Sequence, residues 1–236
     1  MGEKDARVRR VLRDARLTDD TPIRDAATLI LMREGTDGPS VLMGQRGRDA
    51  AFMPNKFVFP GGAVDAVDAT VPFAAPLSEP CRGRLLAENA GATPESLAAA
   101  AIRELWEEAG LLLGAPGKWP AAPKGWRGFA ATGHMPSGAS LRFVFRAITP
   151  PGRPRRFDAR FFLADAAEVV GDPTDFSRAE DELRHLQWVP LAEARKLDLP
   201  FVTEVVLAEV SARLKGEAQA GVPFFENTGP SRFLRL

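Results

Sequence analysis

The sequence predicts an α/β chain built around one acidic helix. Three observations carry this. Apolar runs of strand length recur between turn-rich stretches, at 26–32, 41–45, 57–59, 141–148, 156–163 and 186–189. The stretch 93–109 is the clearest helix. The length of 236 residues suits a single domain carrying insertions.

Composition narrows the class. Hydrophobic residues make up 45% and charged residues 26%, as in an ordinary globular chain. The 31 basic and 31 acidic residues cancel, so no general electrostatic footprint for nucleic acid or an acidic membrane is expected. No uncharged stretch is long enough to read as a membrane span. A single cysteine, Cys81, excludes an internal disulfide and fits a reducing compartment, so a cytoplasmic placement is expected.

The elements follow in order. Residues 1–20 form a charged lead-in, helical or loose, with Val8, Val11 and Leu12 as a weak stripe. The runs 26–32 and 41–45 flank a Gly/Asp/Pro/Ser cluster and read as a hairpin. The short run 57–59 ends at the turn Pro60-Gly61-Gly62. Residues 69–92, rich in proline and of mixed polarity, read as an insertion with at most one short helix. In the helix that follows, Thr93 can cap the first turn and Pro94 suits the first helical position. Gly110 can close the far end in a left-handed conformation. Residues 114–139 read as a second insertion, a loop. After the strands at 141–148, 156–163 and 186–189, the stretches 191–197 and 202–214 read as helices. The end of the chain reads as an aromatic and basic tail without a period.

The helix carries Glu104, Glu107 and Glu108 at i, i+3 and i+4, so they share one face. Leu97, Ala101, Leu105 and Ala109 take the opposite side. Three like charges at the negative end of a helix dipole are unfavourable. A solvated acidic face accounts for them, and so does a Mg²⁺ or Mn²⁺ site, because hard cations want clustered oxygen ligands. The upstream paired glycines, Gly61 and Gly62, let backbone approach a ligand closely.

Together these two pieces resemble the Nudix box. That pattern runs Gly, five residues, Glu, seven residues, then Arg-Glu-apolar-any-Glu-Glu-any-Gly-apolar. Arg103, Glu104, Leu105, Glu107, Glu108, Gly110 and Leu111 match every fixed position of its second half. The first half departs. With five residues between, Gly62 is followed by Asp68, and Arg103 lies about 27 residues beyond the place an unbroken box would give it. Asp68 or Glu95 could fill the first acidic position, with Asp65 a further candidate. The stretch FMPNKFVFPGGAVDAVD, the long insert and AAIRELWEEAGLLL are similar to the branch of coenzyme A and acyl-CoA diphosphatases, as is the later PRRFDARFFLA. Gln45-Arg46 and Phe59-Pro60-Gly61-Gly62 carry part of that branch's upstream signature.

The resemblance implies a Nudix fold: an α/β/α sandwich with a central mixed sheet, over residues 21–236 as a single domain with insertions at about 69–92 and 114–139. It implies a metal-dependent diphosphatase that cleaves a nucleoside diphosphate conjugate, with CoA or acyl-CoA first. ADP-ribose, NADH or a modified nucleotide is the alternative substrate, and a catalytically silent nucleotide sensor is the alternative of another class. Glu104, Glu107, Glu108 and the Gly62 carbonyl are the implied ligands of Mg²⁺ or Mn²⁺. Arg103 is expected to orient the glutamates. Glu107 is a catalytic candidate, and the general base is a box glutamate or an acid of the 180–182 cluster, Glu182 before Glu180. Partners are small molecules, with no membrane and no nucleic acid, and the resemblance admits a homodimer. Arg153, Arg155 and Arg156 read as solvated arginines at a strand entry, or as phosphate ligands. His134 and His185 remain without a role.

Overall fold

The computed structural model describes residues 21–87 and 91–236. The lead-in reading of 1–20 lies outside the described residues, as do positions 88–90 of the first insertion. The first apolar run lengthens into the central strand β1 (Ile23–Gly35). It turns back at Thr36-Asp37 into β2 (Gly38–Arg46), with Met32 opposite Val41. On its other side β1 runs parallel to β8 (Arg156–Asp165), in register from Ile23–Arg156 to Met32–Asp165. The neighbours are antiparallel: β7 (Arg142–Ile148) on β8, β9 (Leu183–Pro190) on β2, and β3 (Phe57–Val58) also on β2. The short β4 (Gly61–Ala63) pairs with the first half of β1. The sheet is therefore mixed, as expected.

Alternation along the strands sorts two cores. Ala27, Leu29 and Leu31 of β1 and Phe162 of β8 face one layer, and Ile30, Met32, Phe161 and Leu163 face the other. The first layer holds α1 (Glu79–Leu86) and α2 (Pro94–Ala109). The second holds α4 (Phe201–Leu214), through Val206, Leu207 and Val210. Helices on both faces of the sheet make the α/β/α sandwich.

Helix α2 forms where its signals place it. Thr93 accepts a hydrogen bond from the Ser96 amide at 3.1 Å, and Gly110 ends the helix at φ +70°. Its buried face is lined with small side chains: Ala98, Ala99, Ala100 and Ala101 have no exposed surface.

Three expectations are corrected. Residues 114–139 are not a plain loop. They fold into β5 (Gly114–Pro116), α3 (Arg127–Ala131) and β6 (His134–Pro136), with β5 and β6 paired. Fully buried Trp126 and Phe129 anchor this segment, and Phe129 meets Trp106 of α2 edge-on at 5.7 Å. Large aromatics supply the burial that periodic apolar patterning supplies elsewhere. The stretch 191–197 is not a helix but a single tight turn at Ala194–Lys196. The end of the chain is not a tail. Strands β10 (Pro223–Glu226) and β11 (Arg232–Arg235) form a hairpin, and β10 runs parallel to β7.

Candidate functional site

The site forms where β4 and the last turns of α2 meet. Pairing of Ala27 with Gly62 and Thr28 with Gly61 draws the glycine turn against β1, under α2. The Gly61 amide donates to Glu108 Oε2 at 2.7 Å. Gly62 faces Glu104 so closely that a Cβ there would lie 2.4 Å from Glu104 Oε1. Only glycine permits this approach.

The chain then makes a short 3₁₀ turn, Ala66–Thr70, which buries Asp68. Asp68 is the acid that meets the box arginine. Arg103 Nε and Nη2 donate to its two carboxylate oxygens at 3.1 and 3.0 Å. Trp126 Nε1 reaches Asp68 Oδ1 at 3.3 Å, and the Asp65 amide reaches Oδ2 at 2.9 Å. Glu95 lies elsewhere, in a half-exposed pair with Arg82 at 2.9 Å. Asp65 is 4.0 Å from Arg103 and largely exposed. The geometry therefore favours Asp68 over Glu95 for the first acidic position.

Arg103 is the hub. Besides Asp68 it donates to Glu104 Oε1 at 2.7 Å, Glu107 Oε2 at 3.0 Å and the Ala63 carbonyl at 2.9 Å. A planar guanidinium can serve these partners together, which a lysine cannot. Burial opposes its charge, but the bonds to Asp68 and the fields of Glu104, Asp68 and Glu107 more than offset it and raise its pKa.

The solvated reading of the acidic face does not hold for two of the three glutamates. Glu104 and Glu108 are buried, and Glu107 is half-buried. Burial pushes the Glu104 carboxyl up to about 7, against the pull of Arg103, and Glu107 and Glu182 push it the same way. Burial also raises Glu107, with Arg103 opposing. Glu108 rises well above the ordinary carboxylate range, through burial and the charge of Glu104. Its Oε1 is buried with no hydrogen-bond partner.

A consequence for stability follows. Folded Glu104 holds its proton more tightly than an unfolded glutamate, whose ordinary value is 4.5. Between those two values the folded chain binds more protons, so stability falls as pH rises. The contribution is fully present below the lower value and lost on passing the upper one. In urea unfolding in EDTA across this window, Glu104 is expected to contribute a loss of up to about 3 kcal/mol, and the raised Glu107 and Glu108 act in the same sense. Glu104→Gln should reduce that slope, and an unchanged slope would contradict the burial of Glu104.

The 180–182 cluster does reach this face. The Glu180 amide donates to the Glu107 carbonyl at 2.8 Å, at the end of α2. Glu182 takes a bond from Arg46 Nη2 at 2.8 Å, and its charge acts on both Glu104 and Glu108. Other candidates stand apart. Arg156 is not solvated: it is buried and donates to the Thr149 and Asn227 carbonyls at 3.0 and 2.8 Å. Arg153 and Arg155 are exposed, His185 lies exposed at φ +51°, and His134 bonds locally to Thr132. Cys81 is buried.

Arg46 and Trp126 escaped assignment from sequence. Their partners lie 136 and 58 residues away. The only signal for Arg46 was its place in the Gln45-Arg46 fragment, and Trp126 gave none.

Among the described residues, no group of three or more His, Cys, Asp or Glu side chains is placed to hold a metal ion. Arg103 engages one oxygen each of Glu104 and Glu107, and the Gly61 amide engages one of Glu108. The donor chemistry nevertheless suits a hard cation: all carboxylate on one helix face, with Glu104 against Gly62, Glu108 on the Gly61 amide and one buried Glu108 oxygen unpartnered. No helix among the described residues is long and apolar enough to cross a membrane.

Residues 22–210 match the family model described as the NUDIX domain. A NUDIX hydrolase of known crystal structure from Alicyclobacillus acidocaldarius is 29% identical, with a TM-score of 0.62. The similarity covers 89% of this chain and 100% of that one. A Caenorhabditis elegans protein named "Putative nudix hydrolase 7" is 28% identical over 186 residues, 70% of this chain and 51% of that protein. The chain thus spans about half the length of that curated relative. With the family model matched across most of the chain and the box helix folded against its paired glycines, the chain belongs to the NUDIX family.

Proposed function

We propose that this chain is a Mg²⁺- or Mn²⁺-dependent hydrolase that cleaves the diphosphate bond of a nucleoside diphosphate conjugate, CoA or acyl-CoA first. One observation carries the reading: Glu104 packs against Gly62 with no room for a Cβ, Glu108 takes the Gly61 amide, and the other Glu108 oxygen is buried with no partner. Glu104, Glu107 and Glu108, with the Gly62 carbonyl, would hold the cation. When bound, such a cation neutralises the diphosphate and makes water more acidic.

The chain's own residues do the rest. Arg103 keeps Glu104 and Glu107 aligned through its bonds to Asp68 and Ala63. Glu182 is the proposed general base, ahead of Glu180. Oxygen of a water bonds to phosphorus, its proton passes to Glu182, and the bridging P–O bond breaks with its electron pair leaving on the second phosphate. Glu107 belongs to the catalytic set through its carboxylate.

Support for a CoA substrate comes from the split box: the insertion begins directly after Asp68, as in the branch the sequence resembles. The single buried Cys81 is in keeping with a cytoplasmic protein.

The test is a mass-spectrometric product assay with saturating Mg²⁺ on CoA, acetyl-CoA, ADP-ribose, NADH and nucleoside triphosphates. CoA should yield 4′-phosphopantetheine and adenosine 3′,5′-bisphosphate, and Glu107→Gln should lower the rate at least about 100-fold. AMP from ADP-ribose or NADH would move the substrate and keep the hydrolase. No turnover by a chain that still binds metal would support the sensor and overturn the proposal.

A further inference from the structure

Arg46 ends β2, and its backbone is hydrogen-bonded through both amide and carbonyl. Its amide donates to the Lys56 carbonyl at 2.9 Å, and its own carbonyl accepts from the Asn55 amide at 3.2 Å. Across the sheet it pairs with Leu183, the first residue of β9. Strand β9 is irregular just beyond this point. Met43 faces Gln187 but Gln45 faces Arg184, so β9 carries an extra residue. His185, at φ +51°, lies within that irregular stretch. Such a bulge bends a strand and re-aims its side chains. Gly44 makes room for it, since a Cβ there would lie 2.9 Å from Leu183 Cβ.

The residue before Leu183 is Glu182. Its side chain is 57% exposed, and a glutamate so exposed is free to sample many rotamers. Arg46 Nη2 holds it by one bond at 2.8 Å, from a side chain only 17% exposed whose Nε is buried without a partner. An exposed pair adds little to stability, so its effect is on where the carboxylate sits. That place is the end of α2, where the Glu180 amide, two residues before, donates to the Glu107 carbonyl at 2.8 Å.

We propose that Arg46 is a positioning residue that holds the Glu182 carboxylate against the acidic end of α2 for proton abstraction. This rests on the reading of Glu182 as general base. Arg46 then acts on kcat through Glu182, and contact with a substrate phosphate is not its main role.

The experiment measures kcat and KM for Arg46→Ala, Arg46→Lys, Glu182→Gln and the Arg46→Ala/Glu182→Gln double variant. The substrate is the panel member that the wild-type chain hydrolyses. Mn²⁺ affinity by calorimetry and thermal melting accompany each variant. Glu182→Gln should lower kcat about 100- to 10,000-fold. Arg46→Ala should lower it about 10- to 100-fold with KM nearly unchanged, and Arg46→Lys should recover part of the loss. The double variant should be no slower than Glu182→Gln, because nothing remains to be positioned. Mn²⁺ affinity and melting should stay near wild type in Arg46→Ala.

Unchanged kcat in Glu182→Gln overturns the base assignment and the proposal with it, as does a panel without turnover. Loss in Glu182→Gln but not in Arg46→Ala overturns the role of Arg46 alone. So do a raised KM at constant kcat, a double variant slower by the product of the single effects, or a collapse of melting or Mn²⁺ affinity in Arg46→Ala.

Discussion

Arg103→Ala is expected to destabilise the chain by about 3–5 kcal/mol, the cost of removing one partner from a buried ion pair. Arg103 is 5% exposed and Asp68 1%. Without the guanidinium, Asp68 retains only the Trp126 and Asp65 N–H groups among the bonds described above. Glu104 and Glu107 lose the charge that opposes their own desolvation. The loss should be read by urea unfolding, as a lower midpoint at unchanged slope. Arg103→Lys should recover only part of it, because an ammonium cannot engage both oxygens of Asp68 and two glutamates at once. A loss under about 1 kcal/mol, the scale of an exposed pair, would contradict the hub assigned to Arg103.

Gly62→Ala should do the opposite: leave the fold and remove the chemistry. Gly62 sits in a strand, paired with Ala27, and its backbone conformation is open to alanine. The added methyl, however, would lie 2.4–2.6 Å from the carboxyl atoms of Glu104. That carboxylate must swing away, and misplacement of a reacting group by about 1 Å costs about 100-fold in rate. Melting should shift modestly, on the scale of about 1–3 kcal/mol for local overpacking. Near-wild-type turnover in Gly62→Ala would show that the Glu104 position does not matter.

Much of this was legible in the sequence, and for definite reasons. Helix α2 carries its own start and stop in Thr93, Pro94 and Gly110. The spacing of Glu104, Glu107 and Glu108 follows from helical geometry alone. The strands at 26–32, 156–163 and 141–148 lie close to the observed β1, β8 and β7, because their apolar content exceeds what a surface tolerates. What failed was structure held by contacts distant in sequence. The segment 114–139 has no period, yet Trp126 and Phe129 fix it against α2. The terminal hairpin has its register set by pairing with β7, some 80 residues upstream. Spacing left Asp68 and Glu95 as rivals, and burial against Arg103 separates them. Helical spacing likewise left the acidic face open between a solvated surface and a cation site. Only packing beneath the glycine turn shows that Glu104 and Glu108 are buried.

The carboxylates at the end of α2 are proposed to form a divalent-cation site. Calorimetric titration of Mn²⁺ into the wild-type chain and into Glu108→Gln, at a pH above about 7 so that Glu104 is ionised, tests it most directly. Glu108 is the choice because its buried Oε1 has no other partner. Saturable binding to wild type, weakened at least about 10-fold in a Glu108→Gln chain of native melting temperature, is the predicted result. Equal Mn²⁺ affinity in both proteins, or no binding to either, would contradict the account.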